Sequence, residues 1–421
     1  MNRRHLLGLG ALGLLGAWVA RPVDHGRPYD DYFATLNQLL KQQGGGVPQL
    51  VVDMQRLDAN ADLLAQRLGS KLPLRLVAKS LASDGLLEYL AQRLGTGRFM
   101  AFHQPQLNQL ARLFADADLL LGKPLPVSAA LAFYQQLGNA TTFDPAQQVT
   151  WLIDSPQRLQ QYAELAVALK QPLQIALEID LGLARGGFAS PQALGEALQQ
   201  LQTSQAPLTV RGLMGYDAQV AHSPPWIGRD RAFADSNARY RAFLATARQF
   251  TALWPTQPLL NGAGSLTYAL HARGDTPLNE VSVGSALLMP SEFDSDLLSA
   301  HSPALWIATP VLKVQSGELP YLSRLQSALQ TWDRNRQQAY YLYGGRWPAE
   351  PVAPAGLSYD NLYGRSANQE RVNGSRQTAL AVDDWVFLRP QLSEGVLDDF
   401  ASLRLLRNNR LVGRWLPENM G

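Results

Sequence analysis

Leu74-Arg75-Leu76-Val77-Ala78-Lys79-Ser80 is a short apolar run that stops on a lysine. Lysine is scarce in this chain: 6 of the 37 cationic side chains, the rest being arginine. A lysine at the end of a core-type strand, just before a helix start, is therefore out of pattern. Two readings stand side by side. The amine snorkels to solvent from the strand end, or it is the nucleophile that forms a Schiff base with a carbonyl cofactor.

Similar runs follow at a steady rhythm. They occupy 74–79, 99–103, 117–121, 149–154, 173–181, 209–216, 258–261 and 280–288. Most gaps carry helical periodicity: Gly85–Leu94, Gln106–Phe114, Ser128–Leu137, Pro156–Leu169, Pro191–Leu201 and Asp230–Leu253. Ser155-Pro156 and Ser190-Pro191 place serine at the N-cap and proline at the first helical position, and Asp84-Gly85 is expected to cap the helix after Lys79. Eight strands alternating with helices match a (β/α)8 barrel in count and length. The competing arrangement is an open doubly wound sheet, against which no GxGxxG follows an early strand.

After about residue 305 the texture changes. Trp306–Val314 and Ala381–Leu388 read as strands, with Gly344-Gly345, several prolines and a polar stretch between them. Helical periodicity is thin there, apart from Ser323–Asp333. The expected fold class is thus α/β, a TIM-type barrel over 48–305 plus a mostly β C-terminal domain over 306–421. A strand at Leu50–Asp53 and a helix at Leu57–Leu68 precede the eight runs.

Bulk composition excludes several functions. The 421 residues are 46% apolar, enough for a sizeable core, and the formal charge is +2 with no long run of either sign. Nothing asks for nucleic acid or an acidic membrane surface. There is no cysteine, which excludes disulfides, thiolate chemistry and zinc–sulfur sites.

The N-terminus reads as an export signal over 1–24, followed by a linker over 25–47 that holds one amphipathic stretch, Tyr32–Leu40. Arg3-Arg4 precedes an apolar segment, 6–20, with glycines at 8, 10, 13 and 16. As a helix it spans roughly 22 Å, short for a hydrocarbon core of ~30 Å. Paired arginines before a modest, Gly-rich segment resemble a twin-arginine signal, which implies a bacterial periplasmic protein. A cut after Ala20 would put bulky Trp18 where a small residue is preferred, so an uncleaved membrane tether through 6–20 stays open. The alternative is an apolar N-terminal helix of a cytoplasmic protein.

In an eight-stranded β/α barrel the chemistry sits at the C-terminal strand ends. The polar residues there are Lys79, His103, Lys123, Asp154, Glu178-Ile179-Asp180 with Arg185, Tyr216-Asp217, Asn261-Gly262-Ala263-Gly264-Ser265, and Gly284-Ser285. The glycines of the penultimate set let backbone approach an anion, and Ser265 adds a hydroxyl. Alone, such a loop is more often a plain tight turn. Beside Gly284-Ser285, on the last strand, it reads as a phosphate cradle. Barrel closure brings the first strand next to the last. A lysine and a phosphate site side by side point to a phosphorylated aldehyde, pyridoxal 5'-phosphate, with Arg185 and Tyr216 as candidate partners of its ring.

The segments Val77-Ala78-Lys79-Ser80, Glu178-Ile179-Asp180-Leu181-Gly182 with Arg185-Gly186-Gly187, Gly212-Leu213-Met214-Gly215-Tyr216-Asp217, Asn261–Tyr268, and Glu280 with Gly284-Ser285 stand in order and spacing. Over roughly 48–300 they resemble the D-threonine aldolase / D-serine dehydratase family, fold-type III enzymes on the alanine racemase-like barrel. The resemblance implies that Lys79 carries the cofactor and that Gly262, Gly264, Ser265, Gly284 and Ser285 hold its phosphate. It implies a strand before the lysine that belongs to the second domain, a small, D-configured amino-acid substrate, and a homodimer.

One departure matters. Metal-dependent members of the family carry a Pro-x-His-x-Cys/Asp segment, and the best match here is Pro390-Gln391-Leu392-Ser393-Glu394. Leucine replaces the histidine, and residues 302–421 hold neither histidine nor cysteine. A zinc site of the usual kind cannot be built from them. The expected activity is a metal-free lyase reaction, aldol cleavage or β-elimination, with racemisation as runner-up and a non-catalytic cofactor carrier as the third reading. Tyr341, Tyr343, Tyr359, Tyr363 and Glu394 are the candidates for an acid or base facing Lys79 across the substrate.

Overall fold

The apolar runs become strands because their residues are buried on both faces, as parallel strands under helices require. In the computed structural model, which describes residues 21–138, 142–318, 326–360, 362 and 364–416, eight of them close a parallel barrel. These are β2 (Leu74–Val77), β3 (Arg98–Ala101), β4 (Asp118–Leu121), β5 (Val149–Ile153), β6 (Leu173–Glu178), β7 (Leu208–Gly215), β8 (Leu259–Gly262) and β9 (Glu280–Val283). Closure pairs Leu76 with Phe99 on one side and with Val283 on the other. Leu119, Leu120 and Leu121 are wholly buried, each contributing roughly 1.5–3 kcal/mol of apolar transfer.

Ser155 and Ser190 cap their helices, accepting from the N–H groups of Arg158 and Ala193. The Asp84 cap is not formed. Ser83 occupies that position without a side-chain bond to the helix, and the Asp84 carboxylate instead accepts from Gln109 on the next helix. The run over 280–288 breaks at Gly284 into a strand and a short helix, Ser285–Leu288. A Cβ at Gly284 would lie 2.9 Å from both the Val77 carbonyl and the Ser80 Cβ, so β9 turns there only because glycine permits the contact. The helix expected to reach Leu253 ends at Ala247.

Inside the barrel, Arg75 is fully buried. It donates to Glu280 through Nε (2.6 Å) and Nη2 (3.1 Å), to Asp118 Oδ1 (3.1 Å), and to the carbonyls of Phe99 (3.0 Å) and Asp118 (2.7 Å). Burial alone would lower its pKa, and the two carboxylates more than reverse that. The guanidinium stays charged where an isolated charge would not be tolerated.

The chain divides into two units. The barrel unit comprises Gln55–Ala304 with Ser393–Ala401 and the described end of the chain from Trp415. The other takes residues up to Met54 together with Leu305–Leu392 and Ser402–Arg414. Its sheet runs β13 (Ser358–Tyr359), β14 (Gln369–Gly374), β11 (Gln338–Tyr343), β10 (Leu305–Ser316), β1 (Gln49–Asp53), β16 (Leu403–Arg407), β17 (Arg410–Trp415). β15 (Trp385–Pro390) pairs with β10 and with β12 (Ala349–Ala353). Residues 25–47, read as a linker, hold the helix Asp31–Gln43, whose Phe33, Leu36 and Leu40 join Trp306, Trp385 and Phe387 in this unit's core. An amphipathic helix with an apolar stripe that wide needs a partner surface. The strand Gln49–Asp53 likewise counts with this sheet, where the family resemblance put it, although the expected bounds of 48–305 had it at the head of the barrel region. The export segment at 1–20 lies outside the described residues, and no helix of the described residues is long and apolar enough to cross a membrane.

Candidate active site

The C-terminal strand ends of the barrel enclose one cavity. Lys79, Arg185, Tyr216, Gly262, Gly264, Ser265, Gly284 and Ser285 all line it, with Ser80, Phe102, Met100, Met214, Asn261 and Glu394. They arrive from the ends of several barrel strands, Lys79 and Ser80 after β2, Gly262 to Ser265 at β8 and Gly284-Ser285 after β9, while Glu394 comes from Ser393–Ala401.

Lys79 sits in a single 3-10 turn, Ala78–Leu81, directly after β2. Its Nζ is 2.8 Å from Glu394 Oε1 and 4.7 Å from the centre of the Phe102 ring. The side chain is 36% exposed, so its nitrogen is reachable from the cavity. Ser80 donates to the same Glu394 oxygen (3.2 Å) and accepts from Ser285 (3.1 Å). One chain of hydroxyls thus links the last barrel turn to the lysine.

On either side of Ser285, two backbone N–H groups converge on one oxygen. Gly284 N–H (3.4 Å) and Ala286 N–H (3.0 Å) both point at Ser265 Oγ. The loop that carries Ser265 is held from behind. Gly264 N–H donates to Thr267 Oγ1 (3.1 Å), and Thr267 donates to buried Asp217 (2.7 Å). Asp217 also pairs with His271 Nε2 (2.9 Å), whose Nδ1 meets Thr276 Oγ1 at 2.7 Å. Ala263 takes a left-handed φ of 61°, which the two flanking glycines make easier to reach.

Gly264 serves packing as well. A Cβ there would lie 2.6 Å from Tyr216 Cε2, so the phenol rests on bare backbone. The Arg185 guanidinium stacks 4.9 Å from the same ring. Burial, with Asp217 adjacent, pushes the Tyr216 phenol up, keeping it a neutral donor. Nearby, burial and Asp154 lift Glu178 to about 7, against the pull of Arg185.

Of the described residues proposed to face Lys79, Glu394 is the one that lines this cavity. Tyr359 donates to the Ala349 carbonyl beneath the Arg365 guanidinium, and Tyr341 lies under Lys313, both within the β-rich unit. Tyr363 lies outside the described residues. His103 caps the helix Gln104–Leu113 through Nδ1 rather than pointing free into the site. Sequence reading did not assign Ser80, Phe102 or the Asp217–His271 pair. Thr267 and Asp217 lay within quoted segments, but the contact that joins them spans 50 residues. Among the described residues, no group of three His, Asp or Glu is placed to hold a metal.

Residues 52–292, more than half of the chain, match the family model described as alanine racemase, N-terminal domain. The chain belongs to that family. Pyridoxal phosphate is the cofactor expected of it. No curated protein sequence matches the chain. Among solved structures it resembles D-threonine aldolase from Filomicrobium marinum, at 16% identity and TM-score 0.70, covering 89% of this chain and 98% of that one. It resembles D-threo-3-hydroxyaspartate dehydratase from Delftia sp. HT23, at 14% identity and TM-score 0.65, covering 88% and 97%. It also resembles alanine racemase from Bacillus anthracis, at 14% identity and TM-score 0.62, covering 87% and 97%. Likeness at such identity establishes the shared fold of barrel and β-rich unit.

Proposed function

We propose that this chain is a pyridoxal-phosphate-dependent enzyme acting on small amino acids, D-configured β-hydroxy ones foremost, by aldol cleavage or β-elimination. The observation that carries the reading is one cavity that gathers Lys79 with the turns Gly262–Ser265 and Gly284–Ser285. The residues present fit the cofactor. Lys79 offers an amine for covalent attachment. Ser265 Oγ already accepts two N–H groups, the donor arrangement that an anionic oxygen takes, and Ser285 adds a hydroxyl. Tyr216 and Arg185 stand as a neutral donor and a cation for the ring's polar atoms.

When bound, the cofactor supplies a conjugated ring that accepts the electron pair left when a bond to Cα breaks. The chain's own residues do the rest. With the cofactor bound, Lys79 would be the group that moves a proton at Cα. Met100, Phe102 and Met214 line the cavity with apolar surface that limits water around the reacting atoms. The proposed reaction uses no zinc site of the family type, because Leu392 stands where such a site needs an imidazole. We also propose export through residues 1–24 and assembly as a homodimer.

Purified protein is expected to show a visible absorbance band that borohydride reduction removes. Incubation with D-threonine, D-serine and D-alanine, each with and without chelator, then reads cleavage, elimination and racemisation separately. Absence of the band sinks the cofactor reading, and loss of turnover on chelation sinks the metal-free one.

A further inference from the structure

Glu394 is the single carboxylate among the described residues that line the cavity. It belongs to Ser393–Ala401, a segment counted with the barrel although strand β15 just before it is not. Its Oε1 meets Lys79 Nζ at 2.8 Å, and the Ser285–Ser80 hydroxyl chain ends on the same atom. The carboxylate is therefore aimed at the atom that a substrate's amino group replaces. The other titratable groups lining this cavity are Lys79, Arg185 and Tyr216, none of them a carboxylate.

We propose that Glu394 is a catalytic residue that takes the proton from the β-hydroxyl of a β-hydroxy amino acid and returns it through Lys79. This rests on the cofactor reading above and narrows it to aldol cleavage. The β-O–H bond breaks, its proton goes to Glu394, and its electrons complete the carbonyl of the departing aldehyde. The Cα–Cβ bond breaks in the same event, and its electron pair passes to Cα and the sink already described. The Lys79 ammonium gives Cα a proton, and the proton held on Glu394 crosses the 2.8 Å to replace it. Glycine and an aldehyde leave, and both side chains return to their starting states. The substrate class follows: a carboxylate base acts on a hydroxyl, so alanine-like substrates without one gain nothing from it.

The test uses full-length protein loaded with pyridoxal phosphate. Glu394→Gln is expected to lower aldehyde release from D-threonine about 100-fold, the scale of one lost general base. Bound cofactor and the visible band should stay as in wild type, and Glu394→Asp should recover part of the rate. In cofactor-free protein, an amine-selective acylating reagent should label Lys79 faster in Glu394→Gln, because the ion pair no longer shields it. The proposal is overturned if the glutamine variant cleaves at the wild-type rate, or loses cofactor together with cleavage. A wild type that shows the band but releases no aldehyde from any β-hydroxy amino acid sinks this proposal alone. A wild type without the band sinks the cofactor reading beneath it.

Discussion

Lys79 Nζ and Glu394 Oε1 stand 2.8 Å apart, each side chain about one-third exposed. An ion pair so open to water contributes little to stability, about 0–1 kcal/mol. The pair is therefore poorly explained as a structural device. Lys79→Ala should leave the unfolding midpoint nearly unchanged while removing the visible band and all turnover. Lys79→Arg should not rescue either, since a guanidinium keeps the charge but offers no amine nucleophile. A large fall in the denaturant midpoint of Lys79→Ala, with the band retained, would return the lysine to a structural role.

Gly264→Ala should act on the cofactor more than on the fold. The added methyl would sit 2.6 Å from Tyr216 Cε2, and the ring, with Arg185 stacked on it, must move away. Overpacking of this kind costs roughly 1–3 kcal/mol. Here the displaced groups are the proposed partners of the cofactor ring. Affinity for pyridoxal phosphate, read by titration of the visible band, is expected to weaken about tenfold or more, since each 1.4 kcal/mol is one decade.

The barrel was legible because its signal is local. Parallel strands buried on both faces appear as unbroken apolar runs, and glycines such as Gly262 and Gly264 mark where backbone must approach closely. The β-rich unit was less legible. Its sheet joins β1 near the N-terminus to β10 and β16, hundreds of residues on, and strands such as Gln369–Gly374 and Arg410–Trp415 carry no simple apolar rhythm. The helix Asp31–Gln43 was visible as an amphipathic stretch, but the surface that buries it was not. In the site, Lys79 and the cradle could be placed by strand order, whereas Glu394 was one candidate among five, because its contacts with Lys79 and Ser80 span more than 300 residues.

Glu178 predicts a pH dependence. Its folded pKa is raised from 4.5 to about 7, by burial first and Asp154 second. Between those values the folded state binds a proton that the unfolded state does not. The contribution to stability is thus fullest below the unfolded pKa and is lost as pH rises through about 7. The melting temperature should fall between roughly pH 5 and pH 8. Glu178→Gln, which stays neutral throughout, should flatten that fall. An identical slope in the variant would show that another group is responsible.

Arg75→Met tests the charge network in the barrel interior. Arg75 spends five donor contacts on Glu280, Asp118 and two carbonyls, and is not exposed at all. Methionine matches much of its length but, among the described residues, leaves Glu280 with only Arg98 (3.4 Å) as an ionic partner. Breaking a buried pair on one side costs about 3–5 kcal/mol, read as a lower urea midpoint. Arg75→Met with Glu280→Gln should recover part of that loss, because the uncompensated carboxylate is then gone. The effect should also reach the cavity. Glu280 Oε1 accepts from Asn261 Nδ2 at 2.8 Å, and Asn261 opens the loop that carries Gly262 to Ser265. Arg75→Met is therefore expected to weaken cofactor binding as well as the fold. Unchanged affinity in a variant that still folds would show that the loop holds its shape through the Thr267–Asp217–His271 contacts alone.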